Sequence, residues 1–82
     1  KELYKDRLIA RDINWVSIPD LKEEIRAETK IRLAHNAALG TLLPFSENRV
    51  EVRFDEPQLS ITPGQFAVFY KGDLLLGGGV IE

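Results

Sequence analysis

The chain contains no cysteine, so neither a disulfide framework nor a thiolate metal site can stabilise it. It also has no apolar run near the length that a membrane-spanning helix needs, and its charged first residues, 1–7, lack the apolar segment of a secretory signal. Its 82 residues predict one domain over residues 1–82. A domain this small buries only about 60% of the surface of its unfolded chain, so apolar side chains must supply the core.

Positive charge is not in excess either, because the formal net charge is −2. Free-standing nucleic-acid-binding domains usually carry a basic excess, so any RNA contact must come from a local group of cations. The absence of cysteine also excludes a thiol nucleophile and persulfide chemistry within this chain, and it is compatible with a cytoplasmic location.

Catalytic groups are sparse. His35 is the single histidine, and Ser46, Ser60 and Thr62 are the hydroxyls that could form a triad with it and Asp55. No nucleophile-elbow motif surrounds either serine, and one histidine with scattered carboxylates makes no convincing metal site. We therefore expect no catalytic residue and no metal site in this chain.

Strand patterns are clear in the second half of the chain. Residues 49–54 alternate polar and apolar side chains, the period of a half-buried strand, with Val50, Val52 and Phe54 facing inward. Proline cannot donate to a strand ladder, so residues 55–57 are expected to end this strand. Residues 59–61 are then expected to form a short strand of their own.

Turns and further strands follow closely. Residues 66–70 and 74–76 are apolar on both faces and read as strands, leading through three glycines into residues 80–81. The glycine run lacks the Lys-Ser/Thr pair of a phosphate loop, so it indicates a bend, a bulge or a close approach of another backbone. The residues assigned to turns or bends are Pro57, Pro63, Gly64, Gly72, Gly77, Gly78 and Gly79.

The first half of the chain is less regular. Residues 8–16 indicate a strand whose two faces are both interrupted by polar side chains, and Pro19 stops it. Residues 20–28 have strong helix formers after a possible N-cap at Asp20, but residues 25–33 alternate small or apolar residues with charged ones. Because packing usually overrides intrinsic propensity, we predict a strand over residues 25–34, with at most one helical turn before it, and another strand over residues 36–43.

Successive short strands at this spacing indicate an all-β antiparallel sandwich or barrel. Strands that are apolar on both faces favour a closed barrel, or a barrel packed on a neighbouring domain. The side chains expected in its core include Trp15, Val52, Phe54, Phe66, Val68 and Ile81.

A basic alternation marks the predicted strand over residues 25–34. Arg26, Lys30 and Arg32 share one face with Glu28 among them, and Lys71 at a hairpin tip is a further cation. One interpretation is a stripe that contacts RNA phosphates. The other is a solvated barrel face with cross-strand ion pairs to Glu51 or Asp55. Three phosphate contacts would give a salt slope of only about −2 to −3, so such a stripe could orient RNA that is already held elsewhere.

A set of short segments, in this order and spacing, resembles the C-terminal domain of the bacterial tRNA-specific 2-thiouridylases. The segments cover nearly the whole chain, and they are Leu3-Tyr4, Ala10-Arg11-Asp12-Ile13-Asn14-Trp15, Lys30-Ile31-Arg32, Phe54-Asp55-Glu56-Pro57-Gln58, Thr62-Pro63-Gly64-Gln65, Val68-Phe69-Tyr70, Gly72-Asp73 and Leu76-Gly77-Gly78-Gly79-Val80-Ile81.

The resemblance implies a small antiparallel barrel of about six strands, similar to the second domain of translation elongation factors. The full-length enzymes use ATP, with Mg, to adenylate the wobble uridine, and a persulfide carrier protein supplies the sulfur that enters at C2. The barrel would then contact the anticodon stem-loop region of the tRNA, next to the enzyme's own nucleotide-binding and central domains. The enzyme would act in the cytoplasm, away from membranes. None of the family's catalytic residues falls on this chain.

The chain departs from the family pattern in two places. Ala34 and His35 stand where an arginine and a glutamine are frequent, and Leu75 stands where a cysteine is frequent. The first departure weakens the case for an RNA contact beyond Arg32. Two alternatives from other classes stay open: a translation-factor-type binding module, and a purely structural spacer between the domains of a different enzyme.

Overall fold

The chain forms six antiparallel strands that close into a barrel in the computed structural model, which describes residues 4–31, 37–59 and 61–82. Around the barrel the strands follow the order β1-β4-β3-β2-β5-β6, and β6 pairs with β1 again. This confirms the prediction of an all-β antiparallel barrel of about six strands. The strands are β1 (Tyr4–Trp15), β2 (Ile25–Ile31), β3 (Ala38–Ser46), β4 (Arg49–Leu59), β5 (Phe66–Lys71) and β6 (Leu74–Ile81).

The choice of strand over helix is correct for β2. Ala27 and Thr29 are buried inside the barrel while Arg26 is exposed on its outer face, as the alternation requires. Residues 32–34 of the predicted strand lie outside the described residues. The preceding segment, residues 16–24, contains no helix, and no described segment is a helix long and apolar enough to span a bilayer.

A bulge explains why neither face of β1 looks clean in the sequence. Leu8 and Ala10 point inward before it and Ile13 points inward after it, because the ladder to β6 shifts register between Arg11 and Asn14. Asp12 within this shift has a φ of 52°, a left-handed conformation that aspartate tolerates better than most residues. The bulge bends β1 so that its first part pairs with β4 and its last part with β6, which closes the barrel.

The predicted end of β4 at residues 55–57 is wrong. β4 continues to Leu59, and Pro57 lies within β4 rather than in a turn between strands. Of the separate short strand expected over residues 59–61, Leu59 belongs to β4, Ile61 is in no strand, and Ser60 lies outside the described residues. Arg7 is opposite Arg53 and Lys5 is opposite Gln58. Residues 54–57 of β4 therefore lie opposite a single residue of β1, Asp6. A proline is tolerated in this wide irregularity because it has no ladder hydrogen bond to donate there.

The strand predicted over residues 36–43 is present as β3 but runs further, to Ser46, and Asn36 lies outside the described residues. A two-residue connection, Glu47-Asn48, joins it to β4, and Asn48 takes a positive φ of 59°. Asparagine is among the residues that adopt this conformation at hairpin turns.

The barrel interior holds most of the predicted core, but two assignments are wrong. Phe66 is 52% exposed and Val68 is half-buried on the outer wall, because Ala67 and Phe69 are the residues of β5 that point inward. Trp15 is half-buried and packs against the core. The buried apolar residues are Leu8, Ala10, Ile13, Leu21, Ala27, Leu42, Val50, Val52, Phe54, Ala67, Phe69, Leu76 and Ile81.

The glycine run of β6 lies where backbones come close together. A Cβ atom on Gly77 would lie 2.4 Å from the Asn14 carbonyl oxygen of β1, and one on Gly78 would lie 2.6 Å from the Ala67 carbonyl oxygen of β5. Of the interpretations of Gly77–Gly79, the structure therefore supports close approach of neighbouring strands. It also supports a bulge at the start of the run, because the register of β5 and β6 shifts between Phe69 and Tyr70 and leaves Leu76 as an extra residue beside Gly77.

Candidate functional site

The outer face of β2 carries the predicted cations, but they do not form one cluster. Arg26 and Lys30 lie on the same face, with Glu28 between them. Four residues of extended chain separate them by about 13 Å. Arg32 lies outside the described residues. The proposed stripe is therefore divided into an Arg26 end and a Lys30 end.

Arg26 is held by a carboxylate of another strand. Its two terminal nitrogens donate to Asp55 Oδ1 and Oδ2 at 2.8 and 2.5 Å, and one of them also donates to Thr41 Oγ1 at 3.1 Å. The hydrogen bonds from Arg26 lower the pKa of Asp55 below its usual value. This is the cross-strand ion pair of the solvated-face interpretation, so Arg26 by itself does not favour a phosphate contact.

The two lysines are less engaged. Lys71 Nζ donates to the Arg26 carbonyl oxygen at 3.4 Å, which places this cation beside the Arg26 side of β2. Within the part of the chain that the structure describes, no hydrogen bond or ion pair holds Lys30. Lysines without a carboxylate partner have their full charge available to a polyanion.

Arg26 is one end of a row of three arginines that runs across the strands. The registers place Arg26 opposite Thr41, Thr41 opposite Arg53, and Arg53 opposite Arg7. Since neighbouring strands lie about 4.8 Å apart, the row crosses β2, β3, β4 and β1 over about 14 Å. We call Arg7, Arg53 and Arg26 the arginine row; their side chains are 56%, 63% and 51% exposed.

A buried carboxylate joins two members of the row. Glu51 Oε2 accepts hydrogen bonds from Arg53 Nε at 2.8 Å and from Arg7 Nε at 2.5 Å, and its side chain is only 8% exposed. The bonds from Arg53 and then Arg7 hold the pKa of Glu51 below its ordinary value of 4.5, although burial opposes them. Because each arginine uses Nε here, the terminal nitrogens of Arg7 and Arg53 donate no hydrogen bond to any described residue. The pKa of Arg53 is raised by the hydrogen bond to Glu51 and, to a smaller extent, by the nearby charge of Glu24.

Replacement of Glu51 should therefore weaken the barrel in a way that depends on pH. We expect Glu51→Gln to lower the free energy of unfolding by about 1–2 kcal/mol near neutral pH, because the charge-assisted hydrogen bonds from Arg7 and Arg53 are lost. The loss is limited because both arginine side chains are more than half exposed, so solvent screens their charges. The folded state holds this carboxylate ionised more strongly than the unfolded state does, so its contribution is present above pH 4.5 and disappears as the pH falls below that value. Urea unfolding of both proteins across the acid range measures this.

Glu56→Gln, which removes an exposed carboxylate of the same strand, is the matched control and should change stability little at any pH. A difference between Glu51→Gln and the unmodified chain that stays constant from neutral to acid pH would contradict the assigned role of Glu51.

Of the groups considered for a triad, Ser46 and Asp55 are each engaged with a different arginine. Ser46 accepts a hydrogen bond from Arg49 at 3.1 Å, and Asp55 is engaged with Arg26; His35 and Ser60 lie outside the described residues. Among the described residues, no group of three or more histidine, aspartate or glutamate side chains could hold a metal ion.

Sequence reasoning missed Arg7, Arg53 and Glu51 as a unit. The alternation of Arg49, Glu51 and Arg53 does show that these polar residues share a face of β4. What it does not show is which residue of β1 lies opposite, since the irregularity near Pro57 sets that register. A pairing of Arg7 with Glu51 therefore requires the structure.

Comparison with known proteins matches this barrel to one family. The family described as the aminomethyltransferase beta-barrel domain matches residues 5–81. Among similar proteins, the tRNA-specific 2-thiouridylase MnmA of Symbiobacterium thermophilum is 49% identical over 82 residues, which is 100% of this chain and 21% of that protein. The enzyme of the same name from Rippkaea orientalis is 54% identical over 70 residues, 85% of this chain and 20% of that protein. The enzyme of the same name from Vibrio cholerae strain O395 is 44% identical over 75 residues, which is 92% of this chain and 20% of that protein.

The chain thus spans about a fifth of the length of the curated relatives that it matches. The match confirms the resemblance drawn from the short segments. With a family match over nearly all of its residues and a closed six-stranded barrel, the chain belongs to the aminomethyltransferase beta-barrel family, in the form of the C-terminal domain of the tRNA-specific 2-thiouridylases.

Proposed function

We propose that this barrel helps to dock tRNA in a tRNA 2-thiouridylase. The observation that carries the proposal is a set of cations on the outer wall of the barrel: the exposed arginine row across β1, β4, β3 and β2, Lys71 beside its Arg26 end, and the half-buried Lys30 about 13 Å further along β2. Arginine and lysine side chains are the main protein contacts to phosphate oxygens. The relatives' names state tRNA as the molecule on which they act.

The charge balance makes this an orienting surface rather than a strong binding site. Glu51 and Asp55 neutralise two of the three charges of the arginine row, and the chain as a whole is acidic. Lys30, Lys71 and the terminal nitrogens of Arg7 and Arg53 are the groups that contact phosphates of the anticodon stem-loop region. Affinity for tRNA comes mainly from the rest of the enzyme.

The chemistry belongs to the rest of the polypeptide in this proposal. The full-length protein uses ATP, with Mg, to adenylate the wobble uridine, and sulfur delivered by a persulfide carrier protein then replaces the oxygen at C2. The barrel supplies no catalytic side chain, and its neighbours are the enzyme's own nucleotide-binding and central domains. The reaction takes place in the cytoplasm, where its tRNA substrates are.

Removal of the two less engaged lysines tests the proposal. In the full-length enzyme, Lys30→Ala with Lys71→Ala should weaken tRNA binding and reduce the slope of log K against log salt by about 2, one for each lost phosphate contact. Thiolation should show a raised KM for tRNA with kcat little changed, because these side chains position the substrate and do not touch the reacting atoms.

The matched control is Arg11→Ala with Lys22→Ala, which removes two exposed cations outside the face of β2 and the end of β5. It should leave the salt slope close to that of the unmodified enzyme. An unchanged slope for the variant at Lys30 and Lys71, or an equal loss in the control, would remove the phosphate-contact proposal.

A further inference from the structure

The outer wall of β5 and β6 has a surface of a different kind. Phe66, Val68 and Tyr70 of β5 point outward together with Leu75 and Val80 of β6; we call these five residues the apolar face. Phe66 is 52% exposed and Leu75 is 38% exposed, while the other three are half-buried. No residue from Phe66 to Tyr70 or from Leu74 to Ile81 is charged.

The register makes the apolar face continuous. Phe66 lies opposite Val80, and Tyr70 lies opposite Leu75, so their side chains are cross-strand neighbours on the same side of the sheet. Val68 lies opposite Gly78, which has no side chain and therefore leaves the centre of the face shallow and open.

Charged and polar residues border this face on both sides. Lys30 of β2 lies opposite Val68, Glu28 of β2 lies opposite Tyr70, and Arg11 of β1 lies opposite Val80. An exposed apolar patch with a polar rim marks a protein-interaction site in a soluble domain. The arginine row lies on β1, β4 and β2 instead, so the barrel wall has a charged side and an apolar side.

We propose that the apolar face docks against the rest of the same thiouridylase polypeptide, an inference that rests on the proposed function. The matched relatives have about four-fifths of their length outside the segment that corresponds to this chain, so a covalently linked partner is available. Five side chains offer less contact than an interface between separate molecules needs, which is about 1,000 Å² or more. They suffice for a tethered partner, whose effective concentration is in the millimolar range for a short linker.

Hydroxyl-radical footprinting of the full-length enzyme without tRNA tests this inference, with oxidation read by mass spectrometry. Phe66 on the apolar face and Phe45 on β3 are 52% and 44% exposed in the barrel, so they would be oxidised at similar rates if both faced solvent. We expect Phe66 to be oxidised several-fold more slowly than Phe45, with the same ratio at every enzyme concentration.

Equal rates for the two phenylalanines would overturn the docking proposal. Protection of Phe66 that disappears on dilution would also overturn it, because the occupant would then be a second copy of the enzyme. No tRNA is present in this experiment, so a lack of protection at Phe66 would leave the salt-slope test of Lys30 and Lys71 unaffected. In the same way, an unchanged salt slope would leave the footprinting result unaffected.

Discussion

Phe69→Ala should unfold this barrel at much lower temperature and denaturant concentration than any substitution on its outer wall. Phe69 has no exposed surface, and its ring packs against Trp15 with the ring centroids 5.9 Å apart. Removal of a buried phenylalanine side chain costs about 3–5 kcal/mol, since the surrounding residues cannot fill the cavity completely. A domain of this size has roughly 4–12 kcal/mol of stability in total, so much of it would be lost.

The same strand offers a matched control. Phe66 is three residues away on β5 and points outward, so Phe66→Ala in the 82-residue chain should change the free energy of unfolding by less than about 1 kcal/mol. Thermal unfolding followed by circular dichroism measures both, and each kcal/mol corresponds to a shift of about 4–8 °C in Tm. Similar losses for the two variants would contradict the assignment of Phe69 to the interior and Phe66 to the wall.

Gly40→Val should disrupt the pairing of β3 with β4. A Cβ atom on Gly40 would lie 2.4 Å from the Arg53 carbonyl oxygen and 3.0 Å from the Phe54 Cα atom. Both are backbone atoms of the paired strand, so no side-chain rotation can relieve the contact. We expect a loss of at least about 3 kcal/mol, at the upper end of overpacking effects, together with a loss of hydrogen-exchange protection along β3 and β4.

Leu39→Val is the control for the β-branched side chain itself. Leu39 is the neighbouring residue of β3 and its side chain is 49% exposed, so valine there should be tolerated within about 0.5 kcal/mol. Denaturant unfolding of both variants gives the comparison. A Gly40→Val protein as stable as the unmodified chain would show that β3 and β4 are further apart than the register indicates.

The strands that contain these residues also show how much of the fold sequence patterns can predict. The alternation of residues 25–31 identifies β2 against its helix propensity, because burial on one face of a sheet requires period two. The glycine run of β6 carries its own signal of close backbone approach. Gly40 carries none, since a single glycine in a strand does not show which backbone lies beside it. Phe66 and Val68 were misplaced because a strand that is apolar on both faces does not show which face is inside.

The candidate site was predictable to a similar degree. Arg26 could be placed on the outer wall from β2 alone, and Asp55 was one of the two partners considered for the cations of that strand. The arginine row depends on pairing between strands distant in sequence, and irregularities near Asp12 and Pro57 set those registers. Such bulges add residues to one strand without a strong sequence signal. The partners of Glu51 could therefore not be found from alternation.

Photocrosslinking from the two sides of the barrel tests most directly the central claim, that the charged side faces tRNA and the apolar side faces the enzyme itself. A photoreactive benzoylphenylalanine would replace Lys30 in one full-length enzyme and Phe66 in another, each irradiated with bound tRNA. We expect crosslinks to tRNA from position 30, and crosslinks within the enzyme polypeptide from position 66. Crosslinks to tRNA from position 66 and none from position 30 would contradict the claim.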